Sequence, residues 1–161
     1  MAKEIERKFL VDKSYLNYIS RVVPNPESIK QSYLFSKNGY TARIRVGDLG
    51  SYLTFKGPTT GISRLEFEIR IPRFIGKMLL GEKYLHKFRY SMPMMSLGTE
   101  RPYDIWEIDV FSNLNREDLI IAEIEVPYER YPLILPDIVK GTDEVSHDPQ
   151  YYNSNLIKEV K

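Results

Sequence analysis

The stretch Lys3-Glu4-Ile5-Glu6-Arg7-Lys8-Phe9 alternates strictly, with Glu4, Glu6 and Lys8 on one parity and Ile5, Arg7 and Phe9 on the other. Successive side chains of a strand point to opposite faces, so residues 3–11 read as a strand that gathers Glu4, Glu6 and Lys8 on one side. The same sorting recurs along the chain. YTARIRV (40–46) sets Arg43 and Arg45 against Ala42, Ile44 and Val46, after a hairpin turn expected at Asn38-Gly39. SYLTFKG (51–57) sets Tyr52, Thr54 and Lys56 against Leu53 and Phe55, and ISRLEFEIRI (62–71) sets Arg64, Glu66, Glu68 and Arg70 against Leu65, Phe67 and Ile69. HKFRYSM (86–92) carries Lys87 and Arg89, YDIWEIDVF (103–111) carries Glu107 and Asp109, and IIAEIEVPY (120–128) carries Glu123 and Glu125.

Helical spacing appears between these strands. Tyr15, Leu16, Ile19 and Val23 recur at that spacing over 13–22 after Asp12, a candidate N-cap, and Pro24 and Pro26 end the segment. RFIGKMLLG (73–81) reads as a short helix, residues 129–139 as a proline-broken segment, and about 153 to the end as a C-terminal helix. The fold class expected is mainly β (α+β), one domain over 1–161 with seven or eight strands in an antiparallel sheet large enough to close.

A strand with one wet face also alternates, so any single pair of charges is ordinary surface. The whole set is not ordinary. Glu4/Glu6, Glu66/Glu68, Glu107/Asp109 and Glu123/Glu125 are four carboxylate pairs, each on one strand face. Like charges so placed repel unless a cation joins them, and hard divalent cations prefer oxygen ligands. Arg43, Arg45, Lys56, Arg64, Lys87, Arg89 and Lys8 lie on the same parities, and Arg and Lys are the residues that hold phosphate. A barrel with its charged faces inward and its apolar faces outward, under the helices at 13–22 and 73–81, accounts for both sets.

Composition excludes several alternatives. Of 161 residues, 42% are hydrophobic and 28% charged, and no apolar run approaches the roughly 20 residues of a membrane span. There is no cysteine for disulfides, thiolate metal sites or nucleophiles, and His86 and His147 are the two histidines. A net charge of +1 offers no basic field for nucleic acid. The expectation is a soluble cytoplasmic protein without nucleic-acid or membrane partners, and compatible with a homodimer.

Glu4-Ile5-Glu6-Arg7-Lys8 also resembles the ExExK opening of the CYTH superfamily, the triphosphate tunnel metalloenzymes. The order of the motifs further along the chain strengthens the likeness: ARIR (42–45), YLTFKGP (52–58), SRLEFEIRIP (63–72), Lys87-x-Arg89, WEIDVF (106–111), AEIEV (122–126) and the tail DEVSHDPQYYNSNL (143–156). Gln31-Ser32-Tyr33-Leu34 departs from the usual Gln-Gly-Tyr-Leu, and Ser146 replaces a usual threonine. The 91–104 stretch reads as a longer connection that could alter the tunnel mouth. The resemblance implies an eight-stranded antiparallel β-barrel tunnel with a charged interior and outer helices, of the short bacterial type. It also implies divalent-metal-dependent (Mg²⁺ or Mn²⁺) hydrolysis of a triphosphate, inorganic tripolyphosphate first.

By the same resemblance, Glu4, Glu6, Glu123, Glu125 and Asp109 are metal ligands. Lys8, Arg43, Arg45, Lys56, Lys87 and Arg89 cradle phosphate, with Arg64 at the edge. Lys8, Lys56, Lys87, Glu66 and Glu68 serve catalysis, and Glu107 stands near them. Thiamine triphosphate hydrolysis, adenylate cyclisation and RNA 5′-triphosphate hydrolysis are alternatives on the same tunnel; a polyphosphate- or nucleotide-binding module without turnover is the non-enzymatic one. Trp106 reads as an outward anchor beneath a helix. Tyr33, Tyr52 and Tyr152 could reach the tunnel, and the C-terminal helix either plugs one end or packs outside.

Overall fold

The computed structural model describes residues 2–97 and 101–161. Eight strands form the sheet: β1 (Ala2–Leu10), β2 (Glu27–Lys37), β3 (Tyr40–Gly47), β4 (Ser51–Lys56), β5 (Ser63–Ile71), β6 (Leu85–Met95), β7 (Tyr103–Phe111) and β8 (Ile120–Glu125). They close into an antiparallel barrel in the order β1-β5-β4-β3-β2-β6-β7-β8, with β8 returning to β1. Asn38 and Gly39, at φ of 53° and 80°, make the two-residue turn that joins Lys37 to Tyr40. The expected strands are all present. The 91–104 stretch, in contrast, is mostly strand: β6 and β7 continue their ladder out to Met95 opposite Tyr103, leaving a shorter tip, of which 98–100 lie outside the described residues.

Two helices lie outside the barrel. Asp12 caps the first turn, its carboxylate accepting from the Ser14 N–H at 2.8 Å, and α1 (Leu16–Val22) follows. Ile19 of α1 joins Phe9, Trp106, Ile108, Ala122 and Ile124 in a buried cluster on the outer side of β1, β8, β7 and β6, which the 126–139 segment also covers. Trp106 is fully buried there, 5.6 Å from Phe9 between ring centres, as the anchor expected. The second helix, α2 (Arg73–Leu79), packs on β3 and β4. It approaches closely because residue 76 is glycine: a Cβ there would meet Ser51 Cβ at 2.7 Å.

The C-terminal helix expected from about 153 is shorter, a four-residue α3 (Asn153–Leu156) followed by a 3₁₀ turn over Ile157–Glu159. Leu156 is its anchor, fully buried with Leu85, Phe111, Leu114 and Ile121. Among the described residues no helix is long and apolar enough to cross a membrane.

Candidate active site

Register decides which charges meet inside the barrel. Glu6 lies opposite Glu125 and Lys8 opposite Glu123 across β1 and β8. Glu107 lies opposite Glu123 across β7 and β8, and Arg89 opposite Asp109 across β6 and β7. On the far wall Glu4 faces Arg64, Lys56 faces Glu66, Thr54 faces Glu68, and Arg43 faces Thr54. The result is a cavity of about 340 Å³ and, beside it, a smaller chamber of about 50 Å³. Seven carboxylates and seven cationic side chains line the two, so the lining is neutral overall.

Neutrality is reached through close pairing. Lys8 holds Glu123 and, at 2.7 Å, Glu6. Lys56 joins Glu4 at 2.9 Å and Glu66 at 2.5 Å, while Arg64 Nε donates to Glu4 at 2.7 Å. Arg45 reaches Glu68 at 3.1 Å and stacks on the Tyr52 ring; Glu68 also accepts from the Thr54 hydroxyl at 2.7 Å. Arg89 clasps Asp109 with two 2.7 Å bonds and spans to Glu107 and Glu123. Arg43 is the looser cation: Thr54 lies 3.3 Å away, Glu68 3.7 Å, and its buried Nε–H has no acceptor.

The pairing leaves both signs strained. Burial pushes the Lys56 ammonium pKa down, and Arg43 and Arg64 add to the effect. Arg45 is lowered by burial and by Arg43. At the other side burial raises Glu125, reinforced by the Glu4 and Glu6 carboxylates. Glu66 and Glu107 are also raised, burial being the largest cause in each. Glu4 runs the other way: burial opposes ionisation, but Lys56 and Arg64 pull its pKa down to about 2. Glu123 is likewise lowered, by Lys8, Lys87 and Arg89 against its own burial. A wall with crowded cations favours an anion, and a rim with crowded carboxylates favours a cation.

The structure therefore brings Glu4, Glu6, Lys8, Arg43, Arg45, Lys56, Arg64, Glu66, Glu68, Arg89, Glu107, Glu123 and Glu125 to the chambers. Lys87 and Asp109 are set apart. Both are essentially buried, bonded to one another behind Arg89, and neither lines a chamber. Among the described residues no three acidic or histidine side chains converge closely enough to hold a metal ion in this side-chain arrangement. The donor set still suits a hard cation, because Glu4, Glu6 and Glu125 all face the cavity and Glu6 and Glu125 are direct cross-strand neighbours.

Among the lining residues that escaped the sequence reading, Arg101 and Asn153 stand out. Arg101, in the connection between β6 and β7, lines the large cavity; its Nε bonds Asp104 at 2.8 Å, its Nη2 bonds the Glu125 carbonyl at 2.6 Å, and it stacks on Tyr131. Asn153 lines both chambers, and its buried Oδ1 has no partner. Neither lies in an alternating run, so no parity marked them. Tyr33, Tyr152 and Ser154 line the smaller chamber, whereas Tyr52 serves Arg45. With Leu156 anchored inside, the C-terminal segment closes this end of the barrel, resolving the choice between plug and outer packing.

A CYTH domain family model matches residues 2–130. The chain belongs to the CYTH domain family. An inorganic triphosphatase from Acetivibrio thermocellus is 38% identical over 98% of this chain and 95% of that protein. The crystal structure of another inorganic triphosphatase superposes with a TM-score of 0.57 at 26% identity, covering 98% of this chain and 95% of that one. A putative adenylate cyclase from Bacillus halodurans shares the fold, with a TM-score of 0.59 at 20% identity over 80% of this chain and 84% of its own. The CYTH barrel is thus common to relatives named for different reactions, and the lining must discriminate between them.

Proposed function

We propose that this CYTH protein hydrolyses inorganic triphosphate to diphosphate and phosphate in a divalent-cation-dependent reaction, with Mg²⁺ or Mn²⁺ as the ion. The observation that carries the reading is the neutral chamber lined by seven carboxylates and seven cations, strained in both signs at once. A triphosphate brings about four to five negative charges near neutral pH; the cationic side chains are already matched by carboxylates, so one or two divalent cations would restore the balance. Similarity to two inorganic triphosphatases supports the same substrate.

Arg43, with its free Nε–H, and Arg45, Lys56 and Arg64 beside it would grip the phosphoryl oxygens, each bond charge-assisted. Glu4, Glu6, Glu125 and Glu123 would hold the cation, which supplies charge neutralisation and an acidified water. Asp109 and Lys87 support Arg89 from behind. Glu66 and Glu68 flank the cationic wall, and the raised pKa of Glu66 suits it to take a proton from the attacking water. Water oxygen would bond to the terminal phosphorus as the bridging P–O bond breaks, and Lys8, Lys56 and the arginines would neutralise the departing diphosphate. Phosphoryl transfer needs little beyond such positioning and electrostatics. The smaller chamber, lined by Tyr152, Asn153 and Ser154, has only about 50 Å³, room for a compact inorganic anion's end and not for a nucleoside.

The test is product analysis over tripolyphosphate, ATP, GTP, thiamine triphosphate and pyrophosphate, each with Mg²⁺, Mn²⁺ or a chelator. Cation-dependent release of phosphate from tripolyphosphate, faster than from ATP, is the expected result. Cyclic AMP, or preference for an organic triphosphate, would overturn the substrate. Binding without turnover would make the protein a polyphosphate-binding module.

A further inference from the structure

The outside of the barrel is covered unevenly. Beneath α1 and the 126–139 segment the outward apolar residues of β1, β6, β7 and β8 are buried. On the opposite half, α2 covers the end of β3 and β4 near Val46 and Ser51, and several outward apolar side chains of β2, β4 and β5 stay exposed. Cross-strand register aligns the outward apolar residues into rows, in which Ala42 and Ile44 are buried between exposed neighbours. Phe67 lies opposite Phe55, Phe55 opposite Ala42, and Ala42 opposite Phe35; in the next row Ile69 lies opposite Leu53 and Leu53 opposite Ile44. Phe35, Phe55, Phe67, Leu65 and Ile69 are each 40–51% exposed. No charged side chain stands in either row.

From this we infer that the outer face of β2–β5 is a dimerisation surface, and that its occupant is a second copy of this chain. Size is the first reason. The five side chains present roughly 450 Å² in one patch, already as large as the patches that mark interaction sites on ordinary monomers. Phe74 and Met78 on the solvent side of α2, 64% and 76% exposed, add to it. The total, about 700 Å² per copy, approaches the ~800 Å² each partner contributes to a stable interface. Charge is the second reason. A two-fold contact sets the same patch against itself; the charge nearest the two rows, Lys3 opposite Leu65, is exposed at the edge of the patch, so the rows can meet without burying an unpaired ion. Shape is the third: Ala42 leaves a dip between Phe35 and Phe55, a receiving position for a ring when two sheet faces pack about 10 Å apart. The active-site residues all point the other way along these strands, so pairing leaves the chambers intact.

The experiment is sedimentation equilibrium of the full chain across a concentration series, with far-UV circular dichroism and tripolyphosphatase rate as controls. The wild type is expected at twice the 18.9 kDa of one chain. Phe35→Lys/Phe67→Lys should halve that mass while the dichroism and rate stay at the wild-type level; Phe35→Lys/Leu65→Lys is the second variant should the first misfold. A single-chain mass at every concentration overturns the inference. So does a dimer that survives a folded double variant, or a monomer that instead floats with phosphatidylcholine vesicles, which would assign the face to lipid.

Discussion

Glu4 gives the sharpest quantitative prediction. Its carboxylate accepts from Lys56 Nζ at 2.9 and 3.1 Å and from Arg64 Nε at 2.7 Å, and these cations lower its pKa from 4.5 to about 2. A depressed folded-state pKa contributes stability that is present above the unfolded value of 4.5 and lost as pH falls towards about 2. The shift corresponds to up to about 3 kcal/mol at neutral pH. Glu66 shares Lys56 and is raised, so it offsets part of that figure. Glu4→Gln removes the charge at nearly constant volume, leaving Lys56 with Glu66 and Arg64 with Glu6 at 3.5 Å. Urea unfolding of both proteins between about pH 7 and pH 3 should show the variant less stable by about 2–3 kcal/mol above pH 5, with the gap closing as the solution is acidified. A gap that stays constant from neutral pH to pH 3 would overturn the electrostatic account, because the loss would then come from packing and not from ionisation.

Arg43→Ala should raise the KM for tripolyphosphate by about 10- to 100-fold, the worth of one charge-assisted contact, while leaving the melting temperature nearly unchanged; unaltered steady-state kinetics would remove Arg43 from the cradle. Gly76→Ala drives a Cβ to within 2.7 Å of Ser51 Cβ and should cost about 2 kcal/mol, read as a Tm lower by about 4–8 °C. Asn153→Asp places a carboxylate beside Glu6 at the join of the chambers and should weaken triphosphate binding several-fold by calorimetry, an effect that Asn153→Ala should not reproduce.

Much of this protein was legible in its sequence because the decisive signal is local. The two-residue period of a strand is imposed by the pleat, so Glu4-x-Glu6-x-Lys8, Arg43-x-Arg45 and Glu123-x-Glu125 could be assigned to one face before any partner was known. That the charged faces turn inward followed from the repulsion they would otherwise bear, and Trp106 and Ile108, buried with Ile19 of α1, match the outward apolar parity. Tertiary structure decided everything that depends on register and closure. Parity treats Lys87 and Arg89 alike, yet Arg89 faces the cavity while Lys87 lies behind it with Asp109, because one end of the barrel is filled by Leu85, Phe111, Ile121 and Leu156. Arg101 and Asn153 reach the chambers from segments without periodicity, and the exposure of Phe35, Phe55 and Phe67 appears only once α1 and α2 have taken their places. Faces are set by the geometry of neighbouring residues, whereas contacts between faces are set by strand pairings up to more than a hundred residues apart.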